Sequence, residues 1–174
     1  MYKVIDNFLN VEDYNNIYNF LKSEETPWYF QNHDVAKEKN VTSLNKNGFF
    51  NFCFYNNYSP THQNFYTLMP PLIEKLNAQA IIQIRANLVF RDKDSIESAY
   101  HNDYKYKDSY TGIYYLNTCN AKTVLKIDNN EIAVDSTKNR MLLFPCKILH
   151  KVIYQTDLHK RYLLNINFFG EPWQ

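Results

Sequence analysis

The chain has 174 residues, about the size of one ordinary domain. Its 19 Lys and Arg nearly balance 18 Asp and Glu, so the net charge of +1 provides no basic field for nucleic acid. Hydrophobic residues make up 45% of the chain and aromatic residues 17%, a composition that excludes intrinsic disorder. No apolar run reaches the roughly 18 residues that span a bilayer, and the first residues do not form a signal peptide. We therefore expect a cytoplasmic protein that binds neither membranes nor nucleic acid.

Cysteine and glycine usage excludes several kinds of site. Cys53, Cys119 and Cys146 are far apart and lack C-x-x-C spacing, which favours buried thiols over a disulfide framework or a closed zinc site. The chain has only three glycines, and they form no phosphate-cradling motif. The common kinds of nucleotide-dependent chemistry are therefore not expected.

Residues 1–78 are predicted to form helical support and loops around a later β-structure. Apolar side chains recur at helical spacing in two segments, the first capped by Asn10 and the second kinked near Pro70 and Pro71. The elements predicted here are a strand at 2–5, a helix at 11–21, a strand at 28–31, a long polar excursion at 32–61 and a helix at 63–76. Because loops of such length are often functional, the excursion is a candidate substrate lid.

From residue 79 the hydrophobic period changes from about 3.6 to 2, which indicates strands. The predicted strands are 80–90, 111–117, 122–127, 131–134, 140–144, 148–153 and 161–168. Short strands at regular spacing are typical of a sandwich or barrel. The prediction is thus an α+β chain of one domain, 1–174, in which residues 79–170 form a β-barrel core and the N-terminal helices pack outside it.

Two predicted strands have unlike faces. In the last strand Tyr162, Leu164, Ile166 and Phe168 alternate with Arg161, Leu163, Asn165 and Asn167, and in the strand at 80–90 Ile82, Ile84, Ala86, Leu88 and Phe90 alternate with Gln83, Arg85, Asn87 and Val89. The apolar faces require cover, which the helices can provide. The polar faces are either exposed to solvent or line the mouth of a barrel that holds a polar ligand, and their Arg and Asn residues favour the second interpretation.

Three residues have the composition of an iron site. His101 and Asp103 are two positions apart, so on an extended segment they point to the same side, and His150 lies in a later predicted strand. Two histidines and one carboxylate form the facial triad of non-haem iron(II) oxygenases, which leaves coordination positions open. Arg161 opens the final strand eleven residues after His150. An H-x-D pair alone is a weak signal, but the combination with the later His and Arg is much more specific.

Several stretches match one protein family. They are residues 85–88, 101–103, 111–117, 123–127, 140–144, His150 and 161–168, together with the opening Val-Ile-Asp-Asn-Phe-Leu. In these motifs the chain resembles the 2-oxoglutarate- and iron(II)-dependent dioxygenases, particularly the prolyl-4-hydroxylase-like branch and its small phage-borne members. The resemblance covers nearly the whole chain. It implies a double-stranded β-helix, the jelly-roll or cupin-like barrel, with the metal at its mouth.

The resemblance also implies roles for individual residues. His101, Asp103 and His150 would hold iron(II). Arg161 would pair with the distal carboxylate of 2-oxoglutarate, because a guanidinium matches a carboxylate with two parallel hydrogen bonds. Tyr115 would donate its hydroxyl to the same carboxylate.

Two further contacts of 2-oxoglutarate would come from neighbouring strands. Leu125 would pack against its methylene groups. Relatives often have a Tyr that binds the keto-acid end where this chain has Val89, which cannot donate a hydrogen bond. Asn87, on the same predicted face, is the candidate replacement.

The reaction implied is oxidative decarboxylation of 2-oxoglutarate by O2, coupled to hydroxylation of a C–H bond in a peptidyl or small-molecule substrate. Ascorbate is a further candidate cofactor. The alternative is a non-catalytic cupin-like barrel that binds a metal or ligand, although cupin sites usually contain H-x-H and Glu ligands, which are absent here. A partner-binding protein that has lost turnover and a nucleic-acid demethylase of the same superfamily also stay open.

Tyrosines flank the predicted metal ligands, at Tyr100, Tyr104, Tyr106 and Tyr110. Such residues often pack at a surface with the hydroxyl in water. The alternative is a rim that grips the substrate beside the metal.

Overall fold

A computed structural model describes residues 1–31, 48–91, 93 and 96–172. Its helices are α1 (Val11–Lys22), α2 (Phe65–Leu68) and α3 (Pro70–Lys75). Its strands are β1 (Lys3–Ile5), β2 (Tyr29–Gln31), β3 (Phe49–Asn56), β4 (Ser59–Pro60), β5 (Ala78–Phe90), β6 (Ser109–Tyr115), β7 (Lys122–Ile127), β8 (Asn130–Asp135), β9 (Arg140–Pro145), β10 (Leu149–Ile153) and β11 (Lys160–Gly170).

Two antiparallel sheets form the β-structure. The large sheet has the order β1-β9-β6-β11-β5-β3-β2, with β4 paired to β3, and the small sheet has the order β10-β7-β8. Apolar side chains fill the space between the sheets, among them Leu125 and Val134 from the small sheet and Leu142, Phe144 and Leu163 from the large one. The predicted α+β class and the strands from residue 79 onward are confirmed.

The helices cover the other face of the large sheet. Tyr14, Ile17 and Leu21 of α1 belong to the same buried cluster as Leu164 and Ile166 of β11. The predicted position of the N-terminal helices, outside the β-structure, is therefore confirmed. Among the described residues no helix is both long enough and apolar enough to cross a membrane.

Both predicted helices are present, with the expected signals at their ends. The Asn10 side chain accepts a hydrogen bond from the backbone N–H of Asp13 at 2.9 Å, which caps α1. The second helix is broken into α2 and α3 at Met69, where Pro70 begins a new helix. Proline has no backbone N–H and its fixed φ suits the first turn, so the kink expected near Pro70 and Pro71 is confirmed.

The polar excursion expected at 32–61 is wrong for its second part. Residues 49–56 form β3, which pairs with β5 in the large sheet. Phe52 and Phe54 are 2% and 0% exposed, so the aromatic residues of this segment alternate into the core while the surrounding asparagines conceal the pattern. Residues 32–47 lie outside the described residues.

The alternation of faces predicted for residues 80–90 is confirmed from Ile84 to Leu88 and is wrong near residue 82. Ile84, Ala86 and Leu88 are buried in the core. The register with β11 shifts between Asn167 and Phe168, and Ile81 rather than Ile82 packs against that core. A β-bulge of this kind adds one residue and reverses the alternation beyond it.

Leu164→Ala is expected to lower the free energy of unfolding by about 2 to 5 kcal/mol, because it leaves a cavity under the sheet. Leu164 is 0% exposed. Urea denaturation followed by circular dichroism measures the change. Leu158, 38% exposed, provides the matched control, and Leu158→Ala should change the same quantity by about 0.5 kcal/mol or less. Equal effects of the two substitutions would contradict the assignment of this face to the core.

Candidate metal centre and its cavity

His101 and His150 are held together by their own backbones. They form an isolated antiparallel bridge, in which the N–H of His101 donates to the carbonyl of His150 at 3.0 Å and the reverse bond is 2.8 Å. Their ring centroids are 4.3 Å apart. The pairing therefore fixes the distance between two imidazoles that are 49 positions apart in the sequence.

Hydrogen bonds at one nitrogen of each ring fix the tautomer. The Nδ1 atoms of His101 and His150 lie 3.3 and 3.2 Å from the carbonyl oxygens of Ala99 and Ile148. A carbonyl can only accept, so each Nδ1 carries the hydrogen and each Nε2 keeps a lone pair for a metal. Burial lowers the pKa of His150 and outweighs the neighbouring Asp103, which raises it, so the neutral imidazole that binds metals is favoured.

Asp103 completes the group with one carboxylate oxygen. Its Oδ1 lies 3.9 Å from the Nε2 atoms of both His101 and His150. Its Oδ2 accepts hydrogen bonds from the Thr111 hydroxyl at 3.1 Å and from the Asn165 amide at 3.2 Å. These bonds hold the carboxylate so that Oδ1 faces the imidazoles. One ligand atom from each of the three residues lies within 4.8 Å of the others, close enough to share one ion.

The histidines open onto a cavity between the two sheets. Its wall contains the polar face of β11 and the matching face of β5, as the second interpretation of these faces predicts. The residues from these two strands are Arg85, Asn87, Val89, Arg161, Leu163 and Asn165. The register pairs Arg161 with Val89, Leu163 with Asn87, and Asn165 with Arg85. The two strands thus present their side chains to the cavity in three matched rows.

Arg161 is a buried cation without an acidic partner among the described residues. The residue is 1% exposed, its Nε donates to the Ser136 hydroxyl at 3.3 Å, and the buried Nη2 has no acceptor. The guanidinium lies 5.6 Å from the centroid of the Tyr115 ring. A buried charge without a counter-ion is costly, so this arrangement favours an anion in the cavity.

Tyr115 and Leu125 lie behind the cavity wall. Tyr115 is 0% exposed, and its hydroxyl donates to the Thr123 hydroxyl at 2.8 Å. Burial raises the pKa of Tyr115 to about 12, so the phenol keeps its proton at neutral pH. Leu125 is cross-strand from His150 and belongs to the core between the sheets. Thr123, rather than either of them, is among the described residues that line the cavity.

Asn87 lies in the cavity wall between the rows of Arg161 and Arg85. Its Oδ1 is buried without a hydrogen-bond donor among the described residues. Sequence reasoning missed Phe49, which lines the cavity and lies on the strand that was expected to be a loop. It also placed Arg85 on the correct face without giving it a role.

Comparison with known proteins finds relatives of the fold. A prolyl hydroxylase from Trichoplax adhaerens, in complex with a hypoxia-inducible factor oxygen degradation domain peptide fragment, has a TM-score of 0.65 and 18% identity; the match covers 97% of this chain and 83% of that one. An oxidoreductase of the 2OG-Fe(II) oxygenase family from Burkholderia pseudomallei has a TM-score of 0.70 and 8% identity, covering 98% and 87%. The chain has the fold of the 2-oxoglutarate- and iron(II)-dependent oxygenases. The expected double-stranded β-helix is thereby confirmed.

Other members of this oxygenase fold catalyse other reactions. The non-haem α-ketoglutarate-dependent epimerase SnoN from nogalamycin biosynthesis has a TM-score of 0.66 and 9% identity, covering 97% of this chain and 77% of that one. No family model matches the sequence, and no curated protein is similar to it.

Asp103→Ala should weaken the binding of Mn(II), used here as an oxygen-stable divalent probe, by roughly 100-fold or more, since even residues that only orient a ligand contribute 10- to 100-fold. Calorimetric titration of the full chain measures this affinity, and circular dichroism should show an unchanged fold. Asp135 is 63% exposed in its ion pair with Lys122, so Asp135→Ala is the matched control and should bind the metal like wild type. Undiminished binding by the Asp103 variant would refute the assignment.

Proposed function

We propose that the protein is a non-haem iron(II) dioxygenase that couples oxidative decarboxylation of 2-oxoglutarate to hydroxylation of a C–H bond in a peptidyl or small-molecule substrate. One observation carries the proposal: two imidazoles that converge with the Asp103 carboxylate line the same cavity as a buried guanidinium that has no acidic partner among the described residues. The proposal treats residues 1–174 as one domain. A cytoplasmic location stays a prediction.

The donor set suits iron(II). His101 and His150 offer neutral Nε2 atoms, and Asp103 offers an oxygen whose orientation is held by Thr111 and Asn165. Two histidines and one carboxylate are typical of oxygen-activating iron sites, which keep coordination positions open. When bound, the ion would provide the oxidative chemistry between O2 and 2-oxoglutarate.

The cavity suits 2-oxoglutarate as co-substrate. Arg161 would bind the distal carboxylate through its Nη2, which has no acceptor among the described residues. The ring of Tyr115, whose centroid is 5.6 Å from the guanidinium, would pack against it. Thr123 lines the wall above Tyr115, so the pair would provide the hydroxyl contact that the resemblance assigns to Tyr115 alone.

The keto-acid end of 2-oxoglutarate would point toward the metal ligands. Asn87 is two residues from Val89 on β5, about 7 Å along the strand, and Val89 is the register partner of Arg161. The terminal carboxyl carbons of an extended five-carbon diacid are about 5 Å apart. The Asn87 amide would therefore donate to the keto-acid end. Leu125, the register partner of His150, would pack behind the cavity wall.

The chain's own residues would orient the co-substrate and restrict water. Val89, Ile113 and Leu163 line the cavity beside the polar groups and leave few sites for ordered water. A low-polarity wall also strengthens the pairing of Arg161 with a carboxylate. The peptide complex of the Trichoplax enzyme supports a peptidyl substrate, and SnoN supports a small molecule. Ascorbate would serve only to keep iron reduced.

Succinate formation tests the proposed function. The full chain is supplied with iron(II), 2-oxoglutarate and ascorbate under nitrogen and then exposed to air. Oxygen-dependent succinate that disappears in Asp103→Ala supports the proposal. Absence of succinate together with absence of 2-oxoglutarate binding would contradict it and favour a non-catalytic cupin-like barrel. Binding without succinate supports a dioxygenase whose turnover requires its prime substrate.

Arg161→Gln should raise the Kd for 2-oxoglutarate by roughly 100-fold, because a charge-assisted contact to a buried carboxylate is lost. Calorimetry on the Mn(II)-loaded chain measures it. Arg140 is not among the cavity residues, and its Nε lies 2.6 Å from Asp6 Oδ1. Arg140→Gln removes the same charge and should leave this Kd unchanged. Arg161→Lys should give an intermediate value, since an ammonium keeps the charge but loses the planar fork. A wild-type Kd in Arg161→Gln would refute the co-substrate site.

A further inference from the structure

Arg85 is a second cation of the cavity for which the proposed reaction has no use. It lies on β5, lines the cavity and is partly buried. Its Nε is buried without an acceptor among the described residues, and no described acidic side chain forms an ion pair with it. The guanidinium lies 6.0 Å from the centroid of the Phe49 ring, which forms a flat apolar neighbour.

The position of Arg85 places it beyond the reach of 2-oxoglutarate anchored at Arg161. Arg85 is four residues from Val89, the register partner of Arg161, which is about 13 Å along the strand. A five-carbon diacid spans only about 5 Å between its carboxyl carbons. We therefore expect the two guanidinium groups to bind different anions.

Arg85 lies at the end of the cavity that is next to Asp103. Its register partner is Asn165, whose amide donates to Asp103 Oδ2 at 3.2 Å. Tyr104 follows Asp103 in the chain and stacks on Tyr106 at the surface. A molecule held by Arg85 would lie next to the metal ligands.

Charge balance leaves Arg85 without a partner even when the site is filled. A divalent ion, Asp103 and Arg161 together balance a doubly charged 2-oxoglutarate. The guanidinium of Arg85 is then left for an anion of a third molecule, because its buried Nε has no acceptor among the described residues.

We propose that Arg85 is a specificity-determining residue that binds a carboxylate of the prime substrate, with Phe49 packed against the same guanidinium. The proposal rests on the proposed function and defines its substrate class as acidic. A planar carboxylate accepts two parallel hydrogen bonds from the guanidinium fork. The carboxylate can belong to a free small acid or to an acidic side chain of a peptide.

The test measures binding and proximity to the metal together. The full chain, loaded with Mn(II) and 2-oxoglutarate under nitrogen, is titrated with carboxylic acids of two to ten carbons and with blocked tripeptides that contain Asp or Glu. Each probe is paired with its amide counterpart. Mn(II) broadens the proton NMR signals of a probe that binds beside it.

Saturable broadening is expected for at least one acid and not for its amide, and the better series identifies a small acid or a peptide as the source of the carboxylate. Arg85→Gln should raise the Kd of that acid roughly tenfold or more, and Arg85→Lys less. Arg91 is exposed just beyond β5, so Arg91→Gln is the matched control and should bind like wild type. The Kd of 2-oxoglutarate should stay within about twofold in all three variants.

The proposal is overturned if no acid of either series binds, if neutral probes bind as well as acids, or if Arg85→Gln binds the acid like wild type. Equal loss of 2-oxoglutarate binding in Arg85→Gln would reassign this residue to the co-substrate, which also overturns it. The proposed function fails separately, if wild type does not bind 2-oxoglutarate at all. Thermal unfolding confirms that each variant is folded, and Arg85→Lys keeps the test valid if Arg85→Gln is not.

Discussion

The register of β11 between β5 and β6 determines the rest of the structure. This strand contributes alternate residues to two different environments: Leu164 and Ile166 to the core under the helices, and Arg161 and Asn165 to the cavity. A shift of the register by one residue would exchange these faces, placing a guanidinium in the core and leucine in the site. The apolar face makes such a shift costly. Core packing therefore fixes the positions of the cavity residues.

The cavity combines groups that would each be unfavourable alone. Arg161 is buried without an acid, and Asn87 and Arg85 have buried polar atoms without partners among the described residues. Some of these groups already have supporting bonds: Thr111 and Asn165 donate to Asp103, and the Nε of Arg161 donates to Ser136. Unpaired guanidinium nitrogens that face one cavity are explained if anionic ligands complete them, and the rows of β5 and β11 set the positions that such ligands would take. The free energy lost by burying these groups without partners would be recovered when ligands bind.

The parts that sequence could predict are those set by local periodicity. Alternation gave both faces of β11, helical spacing gave α1, and two-residue spacing placed His101 and Asp103 on one side. The meeting of His101 with His150 depends on a backbone bridge across 49 positions, which no local pattern encodes. It could be expected only from the donor set of a two-histidine, one-carboxylate iron site and from the resemblance to the oxygenase family.

The parts that sequence reasoning missed depend on long-range pairing. β3 is a strand because β5 offers it an edge, and its polar surroundings conceal Phe52 and Phe54. The bulge near Asn167 arises from the match between β5 and β11, so Ile82 could not be assigned to a face from either strand alone. Tyr115 is buried next to the Arg161 guanidinium, but its hydroxyl donates to Thr123, a neighbour on β7. Propensity describes each strand, whereas the partner strand decides what each side chain touches.

The central claim is that one cavity holds a metal at one end and the distal carboxylate of 2-oxoglutarate at the other. Nuclear relaxation of 2-oxoglutarate labelled with 13C at C1 and C5 tests it most directly, with Mn(II) in the full chain as the paramagnetic centre. If His101, Asp103 and His150 hold the ion while Arg161 holds the far carboxylate, C1 relaxes much faster than C5. Equal relaxation of the two carbons, faster relaxation of C5 or no enhancement would contradict this arrangement.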